Sequence, residues 1–232
     1  MGVSGKQAVI LFARDPQPGK VKTRLQSWLD TDTTYRLYCH ILEDSLRNVC
    51  AVEGVDRFVG IHPAHRSGFF DTVEKSGQVR LFEQEGEHLG ARMRNAFDQR
   101  FAEGYETVVI IGSDSPTLPV SYIRQALDTG RDMTLGPCTD GGYYLIGMHR
   151  KVTDVFEGVE WGSEHVLTAT LERVKQARNT LLLLPVWYDV DRPEDLRFLK
   201  THLEYLQHTG LEGHTDTLRF LQQLNLNWES AV

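Results

Sequence analysis

The segment AVILFAR, residues 8–14, constrains the fold most. Seven residues with almost no polar interruption cannot belong to a strand that wets one face. They suit a central strand of a parallel sheet covered on both sides by helices. The run stops abruptly at DPQPGK, where Pro16, Pro18 and Gly19 favour a turn. Lys20, Lys22, Thr23 and Arg24 follow, placing donors beside the carboxyl end of the strand. Lysine supplies mobile charge and arginine grips two phosphate oxygens, so the loop is a candidate anion cradle. An ordinary basic surface turn is the alternative. The glycine spacing and terminal Lys-Ser/Thr pair of a P-loop are absent.

Further α/β units follow. Leu37, Ile41, Leu42, Leu46 and Val49 recur at helical spacing between Thr33 and Val49. DRFVGIH (56–62) and VRLFEQ (79–84) read as strands, and Leu89, Met93, Ala96, Phe97 and Phe101 form another helical stripe. Arg92 and Arg94 on that helix are candidates to face phosphates, although isolated helix arginines more often face solvent. Val108–Ile111 reads as a buried strand running into a polar turn with Asp114, at the kind of strand end where open α/β sheets bind ligands. A carboxylate there suits a divalent cation shared with diphosphate oxygens; an Asx turn or helix cap is the competing explanation. Ser113 and Ser115 read as turn donors.

Asp140, Gly141 and Gly142 precede another strand, where the glycines permit close backbone approach and Asp140 is a candidate to orient a hydroxyl. A tight hairpin explains the same residues. Trp161 is either a shelf for a base or sugar or a lid on a core edge. Ser163 is a candidate cap for the helix carrying Val166, Leu167, Thr170, Leu171 and Val174. TLLLLPVWYDVD reads as a strand ending in Asp189 and Asp191, both able to approach the cation of Asp114, while Asp191 or Asp195 suits the start of the helix PEDLRFLKTHLEYL.

Composition narrows the class. The chain has 232 residues, a formal charge of -7 and three cysteines, Cys39, Cys50 and Cys138, without metal spacing. The acidic balance disfavours a nucleic-acid partner, and no run is long and apolar enough for a membrane span. Few cysteines and no secretory signal give cytoplasmic localisation as the expectation. The expected organisation is one domain over 1–232, with 211–232 a C-terminal extension whose LNLNWESAV end is a tail or a packed edge.

FARDPQPGKVKTRL, GSDSPTLP, GPCTDGGYYLIG, Trp161-Gly162-Ser163 and DVDRPEDL, taken in order across residues 8–199, resemble a bacterial family of small GT-A-like glycosyltransferases. That family was formerly described as a domain of unknown function and is related to nucleotide-diphospho-sugar transferases. The resemblance implies a three-layer α/β/α Rossmann-like GT-A fold with a mostly parallel mixed sheet, and Mg or Mn as cofactor. It places nucleotide and phosphate binding on Pro18, Gly19, Lys20, Lys22 and Arg24, and the metal on Asp114 with Asp191. Asp140 and Asp114 become the catalytic candidates, and Asp140, Gly141, Gly142 and Trp161 the acceptor-binding set. A terminal acidic motif falls on Asp189, Asp191, Asp195 and Leu196, with Arg192 where the family usually has threonine. The expected reaction is metal-dependent sugar transfer from a nucleotide-diphospho-sugar to a small-molecule acceptor. Nucleotidyl transfer with release of pyrophosphate, or a non-catalytic nucleotide-binding module, are the alternatives.

Overall fold

A computed structural model of the chain describes residues 5–64, 67–210 and 215–224. Its centre is the apolar run itself, strand β1 (Gln7–Arg14). Ala8, Ile10 and Phe12 enter one core and Val9, Leu11 and Ala13 the other, as the two-residue period of a strand requires. Both faces are dry, which explains why no polar alternation marks this strand.

Helix α1 (Thr31–Cys50) leads to β2 (Asp56–His62), α2 (Gly68–Lys75) and β3 (Arg80–Glu83). Helix α3 (Leu89–Ala102), β4 (Thr107–Gly112) and α4 (Val120–Asp128) follow. Strands β5 (Met133–Pro137) and β6 (Tyr143–His149) form an antiparallel pair, succeeded by α5 (Val166–Gln176) and β7 (Leu181–Leu183). Helices α6 (Pro193–His208) and α7 (Thr215–Gln223) complete the described chain.

The sheet order is β3-β2-β1-β4-β6-β5-β7. Pairings β1–β2, β1–β4, β2–β3 and β5–β7 are parallel, while β6 runs antiparallel to both neighbours. The fold is therefore α/β with a mixed, mostly parallel sheet between helices, as the sequence led us to expect. Strand β7 spans only three residues at the sheet edge, before Pro185, which has no N–H to continue a ladder.

Helices α1, α2 and α4 cover one face, and α3 and α5 the other. Helix α1 is buried at ten of its twenty positions because it serves two cores. Tyr38, Leu42, Leu46 and Val49 face the sheet, while Leu37 and Ile41 meet Leu196, Leu199 and Leu203 of α6 and Leu218, Phe220 and Leu221 of α7. Each such fully buried side chain contributes about 1.5–3 kcal/mol. Of the carboxyl-terminal LNLNWESAV segment, all but Leu224 lies outside the described residues. Among the described residues no helix is long and apolar enough to cross a membrane.

Two expectations need correction. Ser163 does not cap α5: His165 holds the N-cap position, and Ser163 Oγ instead donates to Glu160 O at 2.8 Å in the preceding turn. Arg92 does not simply face solvent, since its Nη1 lies 3.3 Å from His62 Nε2 and its Nε is buried. Arg94, two residues further on and on nearly the opposite side of the helix, does point outward and pairs with Asp154 at 2.6 Å.

Candidate functional site

The sheet reverses its order of construction between β1 and β4. Chain progression from β1 runs outward through β2 to β3, and then returns to the other side of β1. Loops leaving the carboxyl ends of β1 and β4 diverge there and leave a crevice, the usual ligand position in such sheets. Pro18, Gly19, Lys20, Lys22 and Arg24 lie in the first loop and Asp114 in the second.

The β1 loop is held open by specific contacts. Tyr38 in α1 accepts from Arg14 N at 3.1 Å and donates to Arg14 O at 3.0 Å, fixing the end of β1. Gly19 has φ 78°, and Lys22 has φ 46°, a left-handed conformation that a lysine adopts at a cost of about 1–2 kcal/mol. Its contacts account for that conformation. Lys22 Nζ lies 2.5 Å from Asp114 Oδ1 and 2.8 Å from Asp191 Oδ1, with a side chain only 4 % exposed. Burial alone would push the ammonium down, but the charges of Asp114 and Asp191 outweigh it and hold Lys22 above the usual lysine range. Lys20 is exposed, and Arg24 reaches Asp191 Oδ2 at 3.4 Å.

Asp191 thus meets a cation at each carboxylate oxygen. Burial opposes its ionisation, yet Lys22, followed by Arg24 and Arg192, keeps it below the ordinary carboxylate range. Asp195 closes this turn by accepting from Asp191 N at 2.9 Å and Arg192 N at 2.7 Å. The backbone contact requires no hydroxyl at position 192, so arginine is tolerated there. Leu196 is buried beneath it.

Asp189 has the opposite environment. Burial, then the neighbouring charge of Asp114, raises it to about 6, with Asp140 adding to the rise; hydrogen bonds from Ser115 and Cys138 oppose it. Ser115 Oγ donates to Asp189 Oδ1 at 2.7 Å. Donor atoms of Cys138, Asp140 and Asp189 all lie within 4.8 Å of one another. Burial, then Asp189, pushes the Cys138 thiol up, so it stays protonated at neutral pH and is no nucleophile.

Asp140 sits at the tip of the β5–β6 hairpin. It accepts from Gly142 N at 2.8 Å, so the hairpin and the candidate site are one structure. Gly141 has φ 89°, its carbonyl accepts from Leu167 N, and a Cβ there would collide with the Glu164 backbone. Only glycine lets the hairpin dock on the start of α5. Trp161 packs across the same crevice, stacked on His88 with centroids 6.4 Å apart, and a Cβ on Gly90 would strike its ring.

These groups share one cavity of about 660 Å³, lined by Arg24, Asp114, Asp140, Gly142, Trp161, Asp189 and Asp191 among others. A smaller one of about 350 Å³ joins it at Arg24, Asp114 and Asp191. Of the residues singled out from sequence, Arg24, Asp114, Asp140, Gly142, Trp161 and Asp191 line this cavity and Lys22 the smaller one, while Pro18, Gly19, Lys20 and Gly141 line neither. Asp114 and Asp191 are bridged by lysine, whereas Asp189 has no cation against it among the described residues. Clustered carboxylate oxygens, with Asp189 buried and no cation against it, fit a hard divalent cation, and the neutral thiol of Cys138 does not add to that preference. The cluster thus has the donor chemistry for a metal.

Fold and crevice together define a Rossmann-like α/β protein of the GT-A type. The chain belongs to the bacterial family described as "Uncharacterized protein conserved in bacteria (DUF2064)", whose model matches residues 45–163. It is similar to a protein from Desulfovibrio desulfuricans G20, provisionally assigned as a nucleotide-diphospho-sugar transferase. The two share 32% identity over 94% of this chain and 98% of that one, with a TM-score of 0.80. A cytidylyltransferase from Leptospira borgpetersenii serovar Hardjo-bovis (strain JB197) shares the fold at 14% identity and TM-score 0.58, covering 94% of each chain. So does the inositol-1-phosphate CTP transferase from T. maritima, at 15% identity and TM-score 0.56, over 96% of this chain and 98% of that one. No curated protein matches the chain.

Proposed function

We propose that this protein is a metal-dependent enzyme transferring a sugar from a nucleotide-diphospho-sugar to a small-molecule acceptor. The observation that carries the reading is the convergence of Lys22, Arg24, Asp114, Asp140, Asp189 and Asp191 on one crevice at the β1/β4 reversal. The relative that is 32% identical over 94% of the chain, itself provisionally assigned to nucleotide-diphospho-sugar transfer, supports it.

The two charge signs divide the work. Lys22 commits its ammonium to Asp114 and Asp191 and retains a third N–H direction for a phosphate oxygen. Arg24 uses one nitrogen on Asp191 and keeps the rest of its fork for a second oxygen, with Lys20 and the Pro18–Gly19 backbone at the rim. Held this way, the cations do not reorganise as charge builds on the leaving group, which is where stabilisation counts. Asp114, Asp189 and Asp140 would hold Mg or Mn, which supplies further positive charge to the departing nucleoside diphosphate. Asp140, at the hairpin tip, aligns the acceptor hydroxyl or removes its proton, and Trp161 offers it an apolar wall.

Product analysis tests the reading. Nucleotide sugars and nucleoside triphosphates are incubated with Mg or Mn and a panel of hydroxyl acceptors, and products are followed by mass spectrometry. A nucleoside diphosphate with a sugar-bearing acceptor is expected. Pyrophosphate with a nucleotidylated product, and no sugar transfer, would replace it with nucleotidyl transfer.

A further inference from the structure

One charged cluster on the same rim has no part in the chemistry above. Arg14 ends β1 and His62 ends β2, and the two are register partners in the parallel ladder. Both fall on the sheet face of Ile10, Phe12 and Phe58, the face covered by α3. Helix α3 brings Arg92 onto them, with Nη1 3.3 Å from His62 Nε2. A guanidinium only donates, so His62 Nε2 accepts and the imidazole is neutral here. Burial, then Arg92 and Arg14, holds His62 below the ordinary histidine range.

Arg92 therefore donates to a neutral acceptor, and the Arg14 charge stands near it while its Nη1 donates to Lys20 O at 3.1 Å. Among the described residues no carboxylate pairs with Arg14, His62 or Arg92; Asp15, next in sequence, spends its oxygens on Ser67 N and Gln17 Nε2. Arg92 Nε is buried with no acceptor, which normally costs about 1–3 kcal/mol. Packing, and not a counter-charge, holds that guanidinium. It also stands just after the first turn of α3, a turn with no acidic residue, where the helix pole is itself positive. Each of these features is unfavourable alone, and an anion against the Arg14 and Arg92 guanidinium groups would offset their uncompensated charge.

We propose that Arg14, His62 and Arg92 form an anion subsite that binds a phosphate or carboxylate group of the ligand and adjoins the Lys22–Arg24 cradle, with which Arg14 shares a cavity. Strand β1 lies between β2 and β4, so the β2 end of the subsite at His62 stands about two strand spacings, roughly 10 Å, from the end of β4, while Arg14 on β1 borders the cavity of Asp114. One extended ligand spans that distance. This rests on the reading of the rim as the ligand site, and specifies an anionic group on the ligand's far end or on its acceptor.

Imidazole NMR of the full chain tests it without activity. The His62 resonance, assigned with His62→Gln, is followed through pH titrations in inorganic phosphate and, separately, in acetate at matched ionic strength. A bound anion stabilises the imidazolium, so the His62 midpoint rises by about one pH unit, a tenfold change, and saturably. Arg92→Gln weakens the response about tenfold, and so does Arg14→Gln, whose side chain is exposed and whose fold is the safer of the two. A response to phosphate alone assigns a phosphoryl group, and one to acetate of equal size assigns a carboxylate. No saturable response to either in the folded wild type overturns the subsite. Calorimetry with nucleotide sugars separates the two readings: binding with a silent His62 removes only the subsite, and a responsive His62 without nucleotide-sugar binding removes only the proposed function.

Discussion

Lys22 Nζ lies 2.5 Å from Asp114 Oδ1 and 2.8 Å from Asp191 Oδ1, so one buried ammonium ties the β1 loop to acids from two other parts of the chain. Removing it leaves two carboxylates facing one another. Breaking a fully buried pair costs about 3–5 kcal/mol, but both acids here are more than a third exposed, so Lys22→Met should cost about 2 kcal/mol. Divalent metal should then restore more thermal stability to the variant than it adds to wild type. Equal shifts in the two proteins on adding Mn would show that the ammonium and the metal do not share these acids.

Gly141 is the hinge of the acidic hairpin. Gly141→Ala forces a side chain into φ 89° and against the Glu164 backbone, so we expect a loss of about 3 kcal/mol. The hairpin should lift from α5 and carry Asp140 away from Asp189. Denaturant unfolding gives the first effect, and weaker Mn binding the second. A variant as stable as wild type would mean that the docking of the hairpin is not tight.

Gly90 and Trp161 make a paired constraint across the crevice. Gly90→Ala pushes a methyl into the Trp161 ring and should turn the indole off its stack with His88. Tryptophan fluorescence reports the movement. If Trp161 is an acceptor wall, the KM for the acceptor rises severalfold while that for the nucleotide sugar is unchanged. Equal rises in both would assign it to packing.

Much of this was legible in the sequence because burial leaves a periodic trace. Strand β2 occupies the 56–62 segment read from its apolar pattern, and α1 and α3 follow their stripes closely. Helices α2 and α4 escaped because short helices of eight and nine residues show barely two turns of pattern. Asp114, Asp140 and Asp191 were each visible at a strand end or turn. Their partners were not, because Lys22 and Asp191 are separated by 169 residues. Nor could sequence show that Asp191 is neutralised by cations while Asp189 is not, since that depends on three-dimensional neighbours. A signal for Arg92 was present in its place near the start of an amphipathic helix, where a cation opposes the helix pole.

Asp189 gives the last prediction, and its sign follows from its environment. Burial and the Asp114 charge raise it from the ordinary 3.8 to about 6. The folded protein therefore holds this proton more tightly than the unfolded chain does. Between about pH 4 and 6 stability is lost as pH rises, and above 6 the fold carries a desolvated carboxylate with no cation against it. Asp189→Asn keeps an acceptor for Ser115 and removes that charge. In metal-free protein the variant should melt a few degrees above wild type at pH 7.5, and the advantage should fade as pH falls through 6 towards 4. Adding Mn at pH 7.5 should reverse the order, because only the wild type supplies an anionic oxygen. Metal affinity of the wild type should itself decline as pH drops below about 6, where proton and metal compete for the same oxygens. A variant less stable than wild type at pH 7.5 without metal, and no weaker in binding Mn, would show that Asp189 is a structural acceptor for Ser115 and not a metal ligand.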